Sequence, residues 1–133
     1  MTDAIKIGKY IYYTLTENDT ISQYVGFKVY PVIAEESTLF PFIIYRRSSI
    51  STTGYSKDGY SEDTVDFSVM VASQKYEESC EIANEIRKLL EKKFKVYDNM
   101  EINDCRMMGI SESYTDNAFV QSLDFQCVIN KHN

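Results

Sequence analysis

The chain has 133 residues, of which 44% are hydrophobic, 26% charged and 14% aromatic. Those are globular values that exclude a disordered chain, and they fit one domain burying roughly two thirds of its unfolded surface. Twenty acidic against 14 basic residues give a net charge of −6, which excludes nucleic-acid binding driven by bulk charge.

The first predicted element is a helix capped by Asp3 and running to about Thr16, with a broad apolar side of Ile5, Ile7, Ile11, Tyr12, Tyr13 and Leu15. Asn18-Asp19-Thr20 reads as a turn and cap for a short helical piece, Ile21 to Val25, ended by Gly26. Phe27 to Val32 reads as a short strand. Pro31 cannot donate to a ladder, so the strand belongs at an edge or stops there. After the polar connector Ala34 to Leu39, Phe42 to Ser49 forms a second strand whose early part is apolar on both faces and is expected to be buried on both.

Ser51 to Glu62 reads as a long irregular segment between two strands, longer than an ordinary hairpin turn. Thr64 to Ala72 is the clearest strand, with Val65, Phe67, Val69 and Val71 toward the core. Lys75 to Phe94 is the clearest helix. Tyr76, Cys80, Ala83, Ile86 or Arg87, Leu90 and Phe94 recur at helical spacing, Ile82 and Leu89 widen the stripe, and Ser73 is its candidate cap. Its last turns are expected to carry the basic cluster Arg87, Lys88, Lys92, Lys93 and Lys95, where cations favour the helix dipole. A short strand within Val96 to Ile102 follows. Asp104 to Tyr114 and Ala118 to Asn130 then form a hairpin across Thr115-Asp116-Asn117, and Lys131-His132-Asn133 is expected to fray. This order predicts an α+β domain over residues 1–133, with two helices on one face of a mainly antiparallel sheet and a long hairpin loop.

Residues for chemistry are scarce. The one histidine, His132, lies at the C-terminus without an orienting partner. Cys80, Cys105 and Cys127 match no zinc or redox spacing and read as small buried hydrophobes of a reduced protein. No phosphate loop, dinucleotide fingerprint, signal peptide or membrane-length apolar run is present. The pairs Glu35-Glu36, Glu62-Asp63 and Glu77-Glu78 sit in connectors or at a helix start, where solvation or the helix dipole explains them. A weak divalent-ion site at Asp58, Glu62 and Asp63 is a competing reading, at a spacing that matches no EF-hand. The expectation is no enzyme, no cofactor and no metal.

Candidate protein-contact residues are Arg46 and Arg47 at a strand end and Tyr55, Lys57, Asp58 and Tyr60 in the long segment. Arginine makes bidentate pairs across interfaces, and exposed tyrosines are frequent anchors. A solvated strand end and a packed-down loop are the competing readings.

One pattern spans most of the chain. It consists of Val29-Tyr30-Pro31, then Phe40-Pro41-Phe42-Ile43-Ile44-Tyr45, the strand Thr64 to Val71, the helix opening at Tyr76-Glu77-Glu78 with Ile82-Ala83 and Ile86-Arg87, and the strand Phe119 to Val128 containing Gln121 to Phe125. In order and spacing these segments resemble the tail-completion, or tail-terminator, proteins of long-tailed bacteriophages. The resemblance covers about Ile21 to Ile129 and its motifs are structural. It implies a non-enzymatic virion protein that forms a ring, a hexamer by family resemblance, at the head–tail junction. The ring would complete the tail and meet tail-tube and head-connector proteins, after assembly in the host cytoplasm. It implies no sequence-specific nucleic acid and no membrane as partners. Ser51 to Glu62 would then be an arm reaching a neighbour. The alternative is a small host module that binds and modulates a partner protein.

Overall fold

A computed structural model describes residues 4–55 and 60–132. After a 3-10 turn, Ala4–Lys6, come helices α1 (Ile7–Thr16) and α2 (Asp19–Val25), and strands β1 (Val29–Pro31), β2 (Phe42–Tyr55) and β3 (Tyr60–Ser73). Helix α3 (Tyr76–Leu90) precedes β4 (Lys92–Tyr97), β5 (Met100–Thr115) and β6 (Ala118–His132). The strands form one six-stranded sheet in the order β1-β2-β3-β6-β5-β4, antiparallel except for β1 against β2. The α+β architecture is the one the sequence predicts.

Local chemistry fixes the ends of the elements. The Asn18 side chain accepts the Ile21 N–H at 2.9 Å and starts α2. Gly26 ends it with a φ of 61°, a region that costs glycine little. Two two-residue turns, Asp98-Asn99 (φ 48° and 67°) and Asp116-Asn117 (φ 52° and 64°), close β4 onto β5 and β5 onto β6. Asp and Asn tolerate positive φ at both positions, and such turns match the twist of the strands they join. Pro31 lies on the edge strand β1, as expected of a residue with no N–H.

The core lies between the helices and one sheet face. Ile43, Val65, Phe67, Val69, Val71, Ile102, Leu123, Phe125, Cys127 and Ile129 supply the sheet side. Ile7, Ile11, Leu15, Ile21, Val25, Ile82, Ile86 and Leu90 supply the helix side. The Phe67 and Phe125 rings stack at 5.2 Å across β3 and β6. Each such side chain contributes roughly 1.5–3 kcal/mol by leaving water. Gly8, in the first turn of α1, has a packing reason: a Cβ there would lie 3.1 Å from the Tyr45 ring.

Several expectations are corrected. The α3 helix stops at Leu90, and Lys92 to Tyr97 becomes edge strand β4. The tie is Glu91: one carboxylate oxygen accepts Arg87 Nε at 2.9 Å and the other accepts the Met107 N–H at 3.0 Å, which pins the chain to β5 as it leaves the helix. Lys92, Lys93 and Lys95 therefore sit on a strand, and Phe94 is 57% exposed instead of continuing the helix stripe. The strand predicted within Val96 to Ile102 is the end of β4, the turn and the start of β5.

The segment Ser51 to Glu62 is mostly ladder, with β2 reaching Tyr55 and β3 starting at Tyr60. Its Ser, Thr and Tyr residues suit a strand that needs no alternating apolar face. β6 runs beside it to His132, which pairs with Tyr60, so the tail is strand up to that residue. The early part of β2 is buried on one face only: Ile43 lies under the helices, while Phe42 and Ile44 are half-exposed. Asp3 lies outside the described residues. Ile5 is 64% exposed, because the chain there is a 3-10 turn out of phase with α1. Tyr76 and Arg87 are exposed, and Ser79 joins Ile82, Ala83, Ile86 and Leu90 in the buried stripe of α3. Ser73 stands just before α3, accepting the Lys75 N–H at 3.1 Å and donating to Glu78 Oε1 at 2.8 Å.

Candidate interaction surfaces

Strand alternation separates the two arginines singled out in the sequence. Arg46 is exposed on the face away from the helices, beside Ser68 and Asp124. Arg47 projects to the helix side, where its Nη1 donates to the Ile5 carbonyl at 2.8 Å and ties the 3-10 turn to β2. Arg47 is thus an internal brace. Tyr55 and Tyr60 are placed by backbone pairing with Ser61 and His132 at the far end of the arm. Lys57 and Asp58 lie outside the described residues. From Arg46 to Tyr55 the strand runs roughly 30 Å, so these two candidates lie at opposite ends of it.

The sheet face away from the helices has two characters. Toward the Asp116-Asn117 turn, Phe42, Ile44, Met70, Ala72 and Val120 line a shallow apolar cleft of about 150 Å³, with Phe40 stacked on Phe42 at 5.3 Å. Toward the arm the face is polar. Ser49 Oγ donates to Asp66 at 2.8 Å, Gln126 Nε2 donates to the other Asp66 oxygen at 3.0 Å, and Ser68 Oγ donates to Asp124 at 2.7 Å. These bonds cross three strands.

Two long strand edges are open. β1 covers β2 only over Ile43 to Tyr45, and β4 covers β5 only up to Cys105. Among the described residues, β2 beyond Tyr45 and β5 beyond Cys105 have no ladder partner on their outer sides. Ser48, Ser49, Ser51 and Thr52 on one edge and Ser111 to Thr115 on the other are exposed. Such rows of free N–H and C=O groups are templates for pairing with another chain.

A polar node, not anticipated from the sequence, sits where α3 meets β5 and β6. Gln121, 4% exposed, directs Nε2 to Ser79 Oγ at 3.2 Å, Cys80 Sγ at 3.6 Å and Glu112 Oε2 at 3.2 Å. The Tyr76 hydroxyl donates to the same Glu112 oxygen at 2.9 Å. That bond, with a further contribution from Cys80, pushes the Tyr76 phenol up to about 12. Its only sequence signal is a glutamine at an inward position of β6. The Glu91 carboxylate is held below its usual range, first by the Met107 N–H and then by Arg87. No helix among the described residues is long and apolar enough to cross a membrane. Among them, no three His, Cys, Asp or Glu side chains converge as metal ligands.

The sequence matches no family model and no curated protein. Solved structures do match: a chain in "Virion of native gene transfer agent (GTA) particle" superposes with a TM-score of 0.73 at 12% identity, covering 91% of this chain and 92% of that one. At that identity the likeness establishes a shared fold over about nine tenths of both chains.

Proposed function

We propose that this protein is a non-enzymatic structural subunit of a phage-type particle, and that within it the subunit completes the tail as a ring at the head–tail junction. The observation that carries the coarser reading is the fold shared over nine tenths of both chains with a chain of a gene transfer agent virion. The finer reading rests on the resemblance of the segments from Val29 to Val128 to tail-completion proteins.

The open edges supply a physical route to a ring. The β2 edge and the β5 edge are different surfaces on opposite sides of the sheet. A contact between them is heterologous, and such contacts close into rings or run on as filaments. In the sheet order β2 and β5 run in opposite directions, so β2 of one subunit laid beside β5 of the next makes an antiparallel ladder. The tail-tube and head-connector proteins would meet the ring through the arm that carries Tyr55 and Tyr60. The site of action would be the virion, with assembly in the host cytoplasm.

The test joins assembly to partner capture. Wild-type protein is expected to form rings visible by electron microscopy and to retain tail-tube or connector proteins from an induced lysate. The double substitution Ser111→Lys and Ser113→Lys places charges on an exposed edge and is expected to give a folded monomer by light scattering. If that variant assembles like wild type, the β5 edge is not the contact. Recovery of host regulatory proteins alone would replace the virion reading with that of a host binding module.

A further inference from the structure

Cys105 and Cys127 face each other across β5 and β6. The ladder pairs Asn103 with Val128 and next Arg106 with Gln126, so Asp104 and Cys105 together oppose Cys127. This is a β-bulge, and Asp104 is its residue of positive φ, 49°. Both cysteines are buried, at 3% and 1% exposure, and both are free thiols. The two thiols are hydrogen-bonded to each other, and a disulfide between facing strands spans roughly 4.4–6.8 Å between Cα atoms.

The bulge also opens the site. A cleft of about 440 Å³ at the β4–β5 side is lined by both cysteines, with Lys92, Lys93, Asp104 and Arg106 around them. A small polar reagent therefore has a path to sulfurs that the core would otherwise seal. Cys80, the third thiol, is half-buried on α3 beside Gln121 and belongs to a different cluster.

We propose that Cys105 and Cys127 form an oxidisable cross-strand dithiol, a modification site that takes a small peroxide and closes to a disulfide pinning the β5 bulge to β6. In the first step one sulfur, as thiolate, attacks a peroxide oxygen. The O–O bond breaks, one water leaves after protonation, and a sulfenic acid remains. The second thiol then attacks that sulfur, the S–O bond breaks and a second water leaves. Two thiols are oxidised by two electrons, and hydrogen peroxide is reduced to two waters. The hydrogen bond to Cys105, together with burial, raises the Cys127 thiol, which disfavours its thiolate and makes closure slow near neutral pH. The inference does not depend on the assembly role proposed above.

The experiment treats the folded full-length protein with hydrogen peroxide, blocks remaining thiols after unfolding, and maps peptides by mass spectrometry without reduction. The expected product is one linked pair carrying Cys105 and Cys127, formed equally in the Cys80→Ser variant and released by dithiothreitol. Recovery of both cysteines as free thiols overturns the proposal. So does their separate oxidation to sulfinic acids, or a bridge that involves Cys80. The decisive measurement is made on wild-type protein, so it does not require Cys105→Ser or Cys127→Ser to fold.

Discussion

The two faces of the sheet are built from the same strands to different rules. Toward the helices, β3 and β6 present Val65, Phe67, Val69 and Val71 against Leu123, Phe125, Cys127 and Ile129, all at most 1% exposed. Toward the other side, the alternate residues of the same strands are Asp66, Ser68 and Met70 beside Gln126, Asp124 and Ser122. The first face is held by loss of water-exposed apolar area, which is non-directional and large. The second is held by short directional bonds that water competes for, and these are individually small. The difference separates what makes the molecule fold from what leaves a surface available to partners.

The largest effect is expected on the covered face. Phe125→Ala removes a ring stacked on Phe67 and leaves a cavity under the helices. It is expected to cost about 3–5 kcal/mol in denaturant unfolding. A cost under 1 kcal/mol would mean that the helices do not seal this face. An intermediate case is Gln121→Ala, which leaves the Ser79 and Cys80 groups at the seam without their shared donor. About 1–3 kcal/mol is expected, with the Tyr76 phenol still titrating high in a spectrophotometric titration, because its own bond to Glu112 survives. The smallest effect belongs to the open face. Asp66→Ala deletes two side-chain bonds, from Ser49 and Gln126, and is expected to cost about 1 kcal/mol or less. A larger loss would show that the polar ladder is a stability element and not only a surface.

The edges repeat the contrast. β4 carries Lys92, Lys93 and Lys95 along an exposed outer strand, and lysines on an edge discourage further pairing. The free stretch of β5 beyond Arg106 has no lysine or arginine between Met107 and Thr115. Only the second kind of edge invites another chain, which is why the assembly test is aimed there.

Elements whose information is local were legible in the sequence. The Val65 to Val71 alternation, the cap at Asn18, the stop at Gly26 and the turn at Asp116-Asn117 each depend on a few neighbouring residues, and the structure has them. The pairing of Phe119 to Val128 with the preceding strand follows from that turn. Tertiary contacts decided the rest. The end of α3 depends on Glu91 reaching the Met107 N–H, a partner 16 residues away. Arg47 is a brace because the Ile5 carbonyl arrives from a distant turn, which leaves Arg46 alone of the pair on the open face. Ser51 to Tyr55 are strand because they pair with β3, and Tyr60 to Glu62 because β6 runs alongside; no alternating pattern marks a strand without a core beneath it. The opposition of Cys105 to Cys127 depends on a one-residue bulge at Asp104. Short-range periodicity and turn chemistry write the elements. Register and long-range hydrogen bonds choose which side chains meet, because those depend on partners that local sequence does not contain.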